Sequence, residues 1–343
     1  MKKLLMFLLA AFLMTGIAAC NGDETTEEAT TTEATTTTEE ATTTEEATTE
    51  EVRTYAADGE YTAFMVHTHY GSPMITSVTV TVDNDEITDY DIDALQSDGT
   101  TFAWNAQTKK ELGYAYRMHG QRDLSEADYI TWLDDNDKLE WFEQAEIIEA
   151  EWLENGVDSV EPVEDEFESL ANVTISDGHY VELAQEAVQN AKDGVVYAYE
   201  TSLSYGKPQV TWVEIHLDDN GDVEDIIIDV LQSSITQTAG EDTPDDDSDD
   251  EFEFAWNENS KQELAYAYRM HGQRDLSEAD YITWLADNDK LEWFEQADLV
   301  ADYVVENGLA DQFVVQDIDA LSTVSITTSA YESVLEEAFN KIG

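Results

Sequence analysis

The residues best placed to do chemistry are cations in a chain dominated by acid. The protein has 343 residues with 15 Lys and Arg against 78 Asp and Glu, a formal net charge of −63. Outside Lys2 and Lys3, nine of the remaining 13 basic residues lie in two matching blocks, 103–145 and 255–297, identical at 37 of 43 positions. Each block carries two arginines at the same spacing, Arg117 with Arg122 and Arg269 with Arg274. Positive charge concentrated this way suits an anionic ligand; pairing with neighbouring Glu and Asp on helix surfaces is the alternative. Trp104, Tyr114, Tyr116, Tyr129, Trp132, Trp141 and Phe142 all recur in the second block, as a core would require.

Other constellations are weaker. His67 and His69 alternate along a strand and could face one metal, but Ser202 and Ser204 stand at the matching places, so a solvent-facing pair is expected. His119 and His271 are shared by the two blocks, yet no nucleophile motif accompanies them. The chain contains no G-x-S-x-G, H-E-x-x-H or phosphate-binding loop. Carboxylates are too abundant for any pair to stand out as an acid and base. The single cysteine excludes internal disulfides, cysteine zinc clusters, haem attachment through C-x-x-C-H and iron–sulfur clusters. The acidity argues against nucleic acid, whose binding begins with Lys and Arg neutralising phosphates.

That cysteine ends a leader. Lys2 and Lys3 precede an apolar run from Leu4 to Leu13, then Ile17-Ala18-Ala19-Cys20, which resembles a bacterial lipobox. The expectation is a signal peptide over 1–19 and lipidation at Cys20, which anchors the protein to the outer face of the cytoplasmic membrane. Residues 20–56 then read as a disordered tether rich in Thr and Glu.

The elements that must position the basic blocks follow from patterning. Strands are expected at 61–70, 77–82, 86–95, 209–217 and 223–231, joined by tight turns into antiparallel hairpins. Helical patterns follow near 106–118, 125–134 and 137–154. Ser125 with Asp128, and Ser277 with Asp280, are close to capping boxes. A last helix follows Asp177 and another follows Thr328. Strands first and helices after indicate α+β. The repeat period of about 150 residues exceeds any solenoid unit. Two tandem domains are therefore expected, at 57–192 and 193–343, the second carrying an added acidic loop at 240–251.

Lys109-Lys110-Glu111-Leu112-Gly113-Tyr114-Ala115-Tyr116-Arg117-Met118, followed by Glu140-Trp141-Phe142-Glu143-Gln144, resembles the FMN-binding domain family. The similarity is to Gram-positive extracellular electron transfer flavoproteins, which join a lipobox, a Thr-rich tether and tandem FMN-binding domains. Arg117 stands at the family's Gly and His119 at its Lys; Gln262 and Ala265 depart further. The resemblance implies up to two FMN groups, attached through phosphate to Thr or Ser by a flavin transferase of the ApbE type. The matching positions are Thr174 in Ala171-Asn172-Val173-Thr174 and Ser325 in Ser322-Thr323-Val324-Ser325. Neither string keeps the family's small Gly-Ala pair. Tyr116, Arg117, Met118 and Arg122, with Tyr268, Arg269, Met270 and Arg274, would contact the cofactor.

Two functions remain open at this stage. One is an electron carrier, fed by a membrane quinone-linked donor and discharging to ferric iron, free flavins or other external acceptors. The other is a non-enzymatic surface lipoprotein that keeps the fold to bind a ligand or partner without covalent flavin. The lipobox, tether and repeat favour the first, and the missing Gly-Ala pair favours the second.

Overall fold

The structure, a computed structural model, describes residues 53–238, 251–310 and 313–343. The leader, Cys20, most of the tether and nearly all of the acidic loop lie outside the described residues. Three strands come first: β1 (Gly59–His69), β2 (Ser72–Asp83) and β3 (Glu86–Gln96). They form an antiparallel sheet in chain order. Tyr70 and Gly71 connect β1 to β2, and Asn84 and Asp85 connect β2 to β3; all four have positive φ. Two-residue turns of this kind match the twist of the strands they join.

Helices follow. α1 (Lys109–Leu112) and a 3₁₀ turn over Gly113–Ala115 replace the single helix expected near 106–118. The break falls at Gly113, whose φ of 50° no continuing helix could hold. α2 (Glu126–Asp135) starts at Ser125, whose Oγ accepts from the Asp128 amide, as the sequence indicates. α3 (Trp141–Asn155) and α4 (Tyr180–Asp193) complete the first half.

The second half repeats the order and adds one strand: β4 (Val195–Ser204), β5 (Lys207–Leu217), β6 (Val223–Thr238) and β7 (Glu251–Trp256) form a four-stranded antiparallel sheet. α5 (Lys261–Leu264), α6 (Glu278–Asp287), α7 (Trp293–Asn307) and α8 (Ser329–Lys341) follow. The architecture is thus α+β, two antiparallel sheets each followed by helices. No helix among the described residues is long and apolar enough to cross a membrane.

α4 packs on β1 and β2, and α8 on β4 and β5. β2 and β5 are buried along most of their length, as hydrophobic central strands are. One cluster of buried side chains runs through both halves, from Tyr61 and Val80 to Val213 and Leu335. The boundary expected at 192/193 falls one residue before the end of α4, and the core is continuous across it. Phe64 of β1 meets Tyr197 at 5.9 Å, Tyr199 at 4.8 Å and Trp212 at 6.3 Å between ring centroids. Lys341 Nζ donates to Thr62 Oγ1 at 3.1 Å and to the Tyr197 carbonyl at 3.0 Å. Gly59 is required where the start of β1 meets the end of α8, since a Cβ there would lie 2.5 Å from the Lys341 carbonyl.

Candidate functional site

The repeated Glu-Trp-Phe-Glu-Gln string builds one device in each half. Glu292, fully buried, is the N-cap of α7 and accepts from the amides of Met270 at 3.0 Å and Trp293 at 2.9 Å, and from the Tyr281 hydroxyl. Glu295 reaches back to the Glu292 amide, closing a capping box. Glu140 does the same for α3 with Met118, Trp141 and Tyr129. Gln296 is buried one turn further on. Its Oε1 accepts from the Ser325 amide at 2.6 Å, the Ser325 hydroxyl at 3.2 Å and the Ile326 amide at 3.2 Å. Its Nε2 donates to the Leu291 carbonyl, which fixes the orientation of the amide. Gln144 holds Thr174 and Ile175 identically. So the string clamps the loop that carries each predicted attachment residue.

The lysine that opens α5 or α1 is buried against aromatic faces. Lys261 Nζ sits 5.2 Å from the Tyr268 ring and 4.9 Å from the Trp293 ring; Lys109 lies likewise on Tyr116 and Trp141. Neither ammonium forms an ion pair with a carboxylate within 4 Å among the described residues. Burial pulls both down to about 8, against a weaker opposing pull from Asp229 on Lys261 and Asp93 on Lys109. Cation–π contact offsets part of that desolvation. By contrast Lys110 pairs with Asp91 and, at 2.8 Å, with Glu149.

In the second half these groups line a cavity of about 750 Å³. Lys261, Tyr268, Met270, Trp293, Ser325 and Tyr331 form one side; Ser202, Ser204, Gln209 and Thr211 of β4 and β5 form the other, with Glu200 alongside. Trp293 Nε1 donates to the Tyr331 hydroxyl at 3.2 Å, locking that wall. Thr211 is fully buried and its Oγ1 has no partner among the described residues. Tyr268, Met270, Ser204, Tyr205 and Gln232 also line an adjoining cavity of about 470 Å³ whose basic residues are Lys207, Arg269 and Arg274. The two cavities share these five residues, and each has cationic groups in its lining.

The first half differs. Thr174 lines a separate cavity of about 290 Å³ with Glu166, Glu168 and Phe167, where acidic groups would oppose a phosphate. Tyr116 and Arg122 border a cavity of about 400 Å³ with Gln96 and Asn105. His67 is half-buried rather than solvent-facing. Its Nε2 pairs with Thr76 Oγ1 at 2.9 Å, and its ring lies 5.6 Å from His179. His69 is the exposed member, against Tyr70. Among the described residues no group of three or more His, Cys, Asp or Glu could hold a metal.

The predicted contacts therefore divide. Tyr268, Met270 and Ser325 share the large cavity; Arg269 and Arg274 reach only the adjoining one. Arg117 and Arg269 stack at 4.2 Å on Tyr129 and Tyr281 and donate to the carbonyls of Leu124 and Leu276. Their first task is structural, and no ion pair with Glu or Asp forms at any of the four arginines among the described residues. Ser325 precedes α8 by four residues and Thr174 precedes α4 by six, so neither lies at the first turn of its helix. Sequence reasoning passed over Lys261, Thr211 and Gln296. The signal for the lysine was its place beside the cap Ser260, at the start of the shared Lys-x-Glu-Leu string.

No family model matches the chain, and no curated protein does. Among solved structures, a solution NMR structure from Clostridium thermocellum is similar at 24% identity. The match covers 39% of this chain and 92% of that one, with a TM-score of 0.26.

Proposed function

We propose that this chain is a lipid-anchored extracellular flavoprotein. It carries electrons from the membrane quinol pool to external acceptors, with FMN seated in the C-terminal cavity and joined through phosphate to Ser325. The observation that carries the reading is the convergence of Ser325, of Lys261 with no ion pair among the described residues, and of two aromatic walls on one cavity of about 750 Å³. That volume lies within the ~300–1,000 Å³ typical of cofactor sites.

When bound, the isoalloxazine supplies the redox chemistry. The chain's own residues do the rest. Lys261 Nζ, buried against the aromatic wall, compensates negative charge beside it. Tyr268 and Trp293 provide flat apolar walls. Gln296 fixes the Ser325 backbone and holds the hydroxyl proton through Oε1. A carbonyl oxygen is too weak a base to remove that proton, so a flavin transferase is the partner that completes attachment. The donor is a quinone-linked membrane protein, and the acceptors are ferric iron or free flavins.

A second reading keeps the cavity for reversible ligand binding without covalent flavin. It is favoured by Ser322-Thr323-Val324-Ser325, where bulky Thr323 and Val324 stand in place of a Gly-Ala pair. The deciding experiment is mass spectrometry of protein co-produced with a flavin transferase. The expected result is an FMN adduct lost in Ser325→Ala with the circular dichroism spectrum unchanged. Unmodified, colourless wild-type protein would reject the covalent carrier.

A further inference from the structure

The hairpins β1–β2 and β4–β5 end in the same Tyr-Gly turn, and their registers correspond. His67 pairs with Met74 where Ser202 pairs with Gln209. Two residues further along β2 and β5 stand Thr76 and Thr211, both fully buried. Thr76 Oγ1 is bonded to His67 Nε2, whereas Thr211, a residue of the C-terminal cavity wall, has no partner for its Oγ1 among the described residues. The same hydroxyl is thus occupied in one half and free in the other.

The starts of α4 and α8 differ in the same sense. Ala330 lines the C-terminal cavity, and His179 takes its place in the matching string, with its ring against His67. Serine and alanine therefore give way to two imidazoles. Burial, with Lys109, His69 and His179 nearby, holds His67 down to about 4, so that ring is neutral near pH 7 and offers an anion no charge. Thr174 lines its own cavity among glutamates.

We propose that the two halves do not share the ligand equally: the C-terminal cavity takes up one planar aromatic anion, and His67 and His179 bar its N-terminal counterpart. The identity of that anion as FMN rests on the flavoprotein reading; the one-sided placement does not. Half of the duplicated framework then serves as scaffold, although the lysine and its aromatic platform survive in both.

Isothermal titration of the full chain with FMN, and separately with anilinonaphthalene sulfonate, tests this. One site per chain is expected, weakened at least tenfold by Lys261→Met and unchanged by Lys109→Met. His67→Ser/His179→Ala should gain a second site, which Lys109→Met then removes. Should that double variant not fold, the two lysine variants still decide. Uptake of the sulfonate but not FMN would overturn the flavin reading and leave the one-sided site standing. Two sites in the wild type, equal losses from both lysine variants, or no uptake of either probe would overturn the proposal.

Discussion

The indoles of Trp104 and Trp256 stack across the two halves, 6.1 Å between centroids and 27° from parallel. Each donates into the opposite half: Trp104 Nε1 to the Ser202 carbonyl at 3.2 Å, and Trp256 Nε1 to the His67 carbonyl at 2.9 Å. The two acceptors occupy matching positions on β1 and β4, so this reciprocal pair joins the two halves.

Trp104→Phe and Trp256→Phe should each destabilise by about 1–2 kcal/mol, the loss of one hydrogen bond plus some packing. Residues 193–343 alone retain a sheet and four helices but leave Tyr197, Tyr199 and Trp212 without Phe64. That fragment should still melt cooperatively by far-UV circular dichroism, at a lower temperature than the full chain. A fragment melting at or above the full-chain temperature would deny the shared core any stabilising role.

Ala265 takes the place of Gly113 in the repeat and has nearly the same backbone, φ 45° against 50°. A Cβ on Gly113 would meet nothing within 4 Å, so the cost of alanine is conformational rather than steric crowding. Ala265→Gly should raise stability by about 1 kcal/mol, the relieved strain exceeding the added freedom of the unfolded chain. Denaturant unfolding reads this directly, and a destabilised variant would contradict the strain.

Lys261 titrates at about 8 in the folded chain and near 10.5 when unfolded. The folded state binds fewer protons between those values, so stability rises with pH across that window. Its desolvation cost is fully present below pH 8. Relative to Lys261→Met, the wild type should gain on the order of 3 kcal/mol between pH 8 and 10.5. Parallel pH curves for the two proteins would refute a buried ammonium.

Gln296→Ala removes the acceptor for two backbone amides and one hydroxyl. With the Ile326 amide left buried and unpaired, a loss of about 2–4 kcal/mol is expected, and flavin loading should fall with it. Gln296→Glu keeps the acceptor but loses the amide's bond to the Leu291 carbonyl, and should lie between. A Gln296→Ala variant as stable as wild type would remove the clamp from this account.

Cys20→Ser should transfer the protein from the membrane to the soluble fraction on cell fractionation. Beyond the leader the tether sequence offers no apolar stretch to retain it. Retention of the variant would end the lipoprotein reading.

Much of the frame was legible from residue order. The tight turn at Asn84-Asp85 announces a hairpin, because few residues tolerate consecutive positive φ; the Tyr70-Gly71 turn was not read, and β2 starts at Ser72 rather than near 77. Ser125 and Ser277 mark helix starts because a hydroxyl satisfies an otherwise unpaired amide. The 43-residue repeat announced that whatever the first block builds, the second builds again. These signals are local, decided within a turn or two of chain. Which cation meets the cavity was not local. Arg117 and Arg269 carry the stronger sequence signal, yet tertiary packing spends them on Tyr129 and Tyr281, and the lysine beside the cap is the one desolvated on aromatic faces. Nor could sequence tell that Thr76 and Thr211, identical in type and register, differ in having a partner. That depends on a side chain across the strand pair and on a loop roughly a hundred residues further along, and burial turns the difference into free energy only once the sheet and its helix have closed over both hydroxyls.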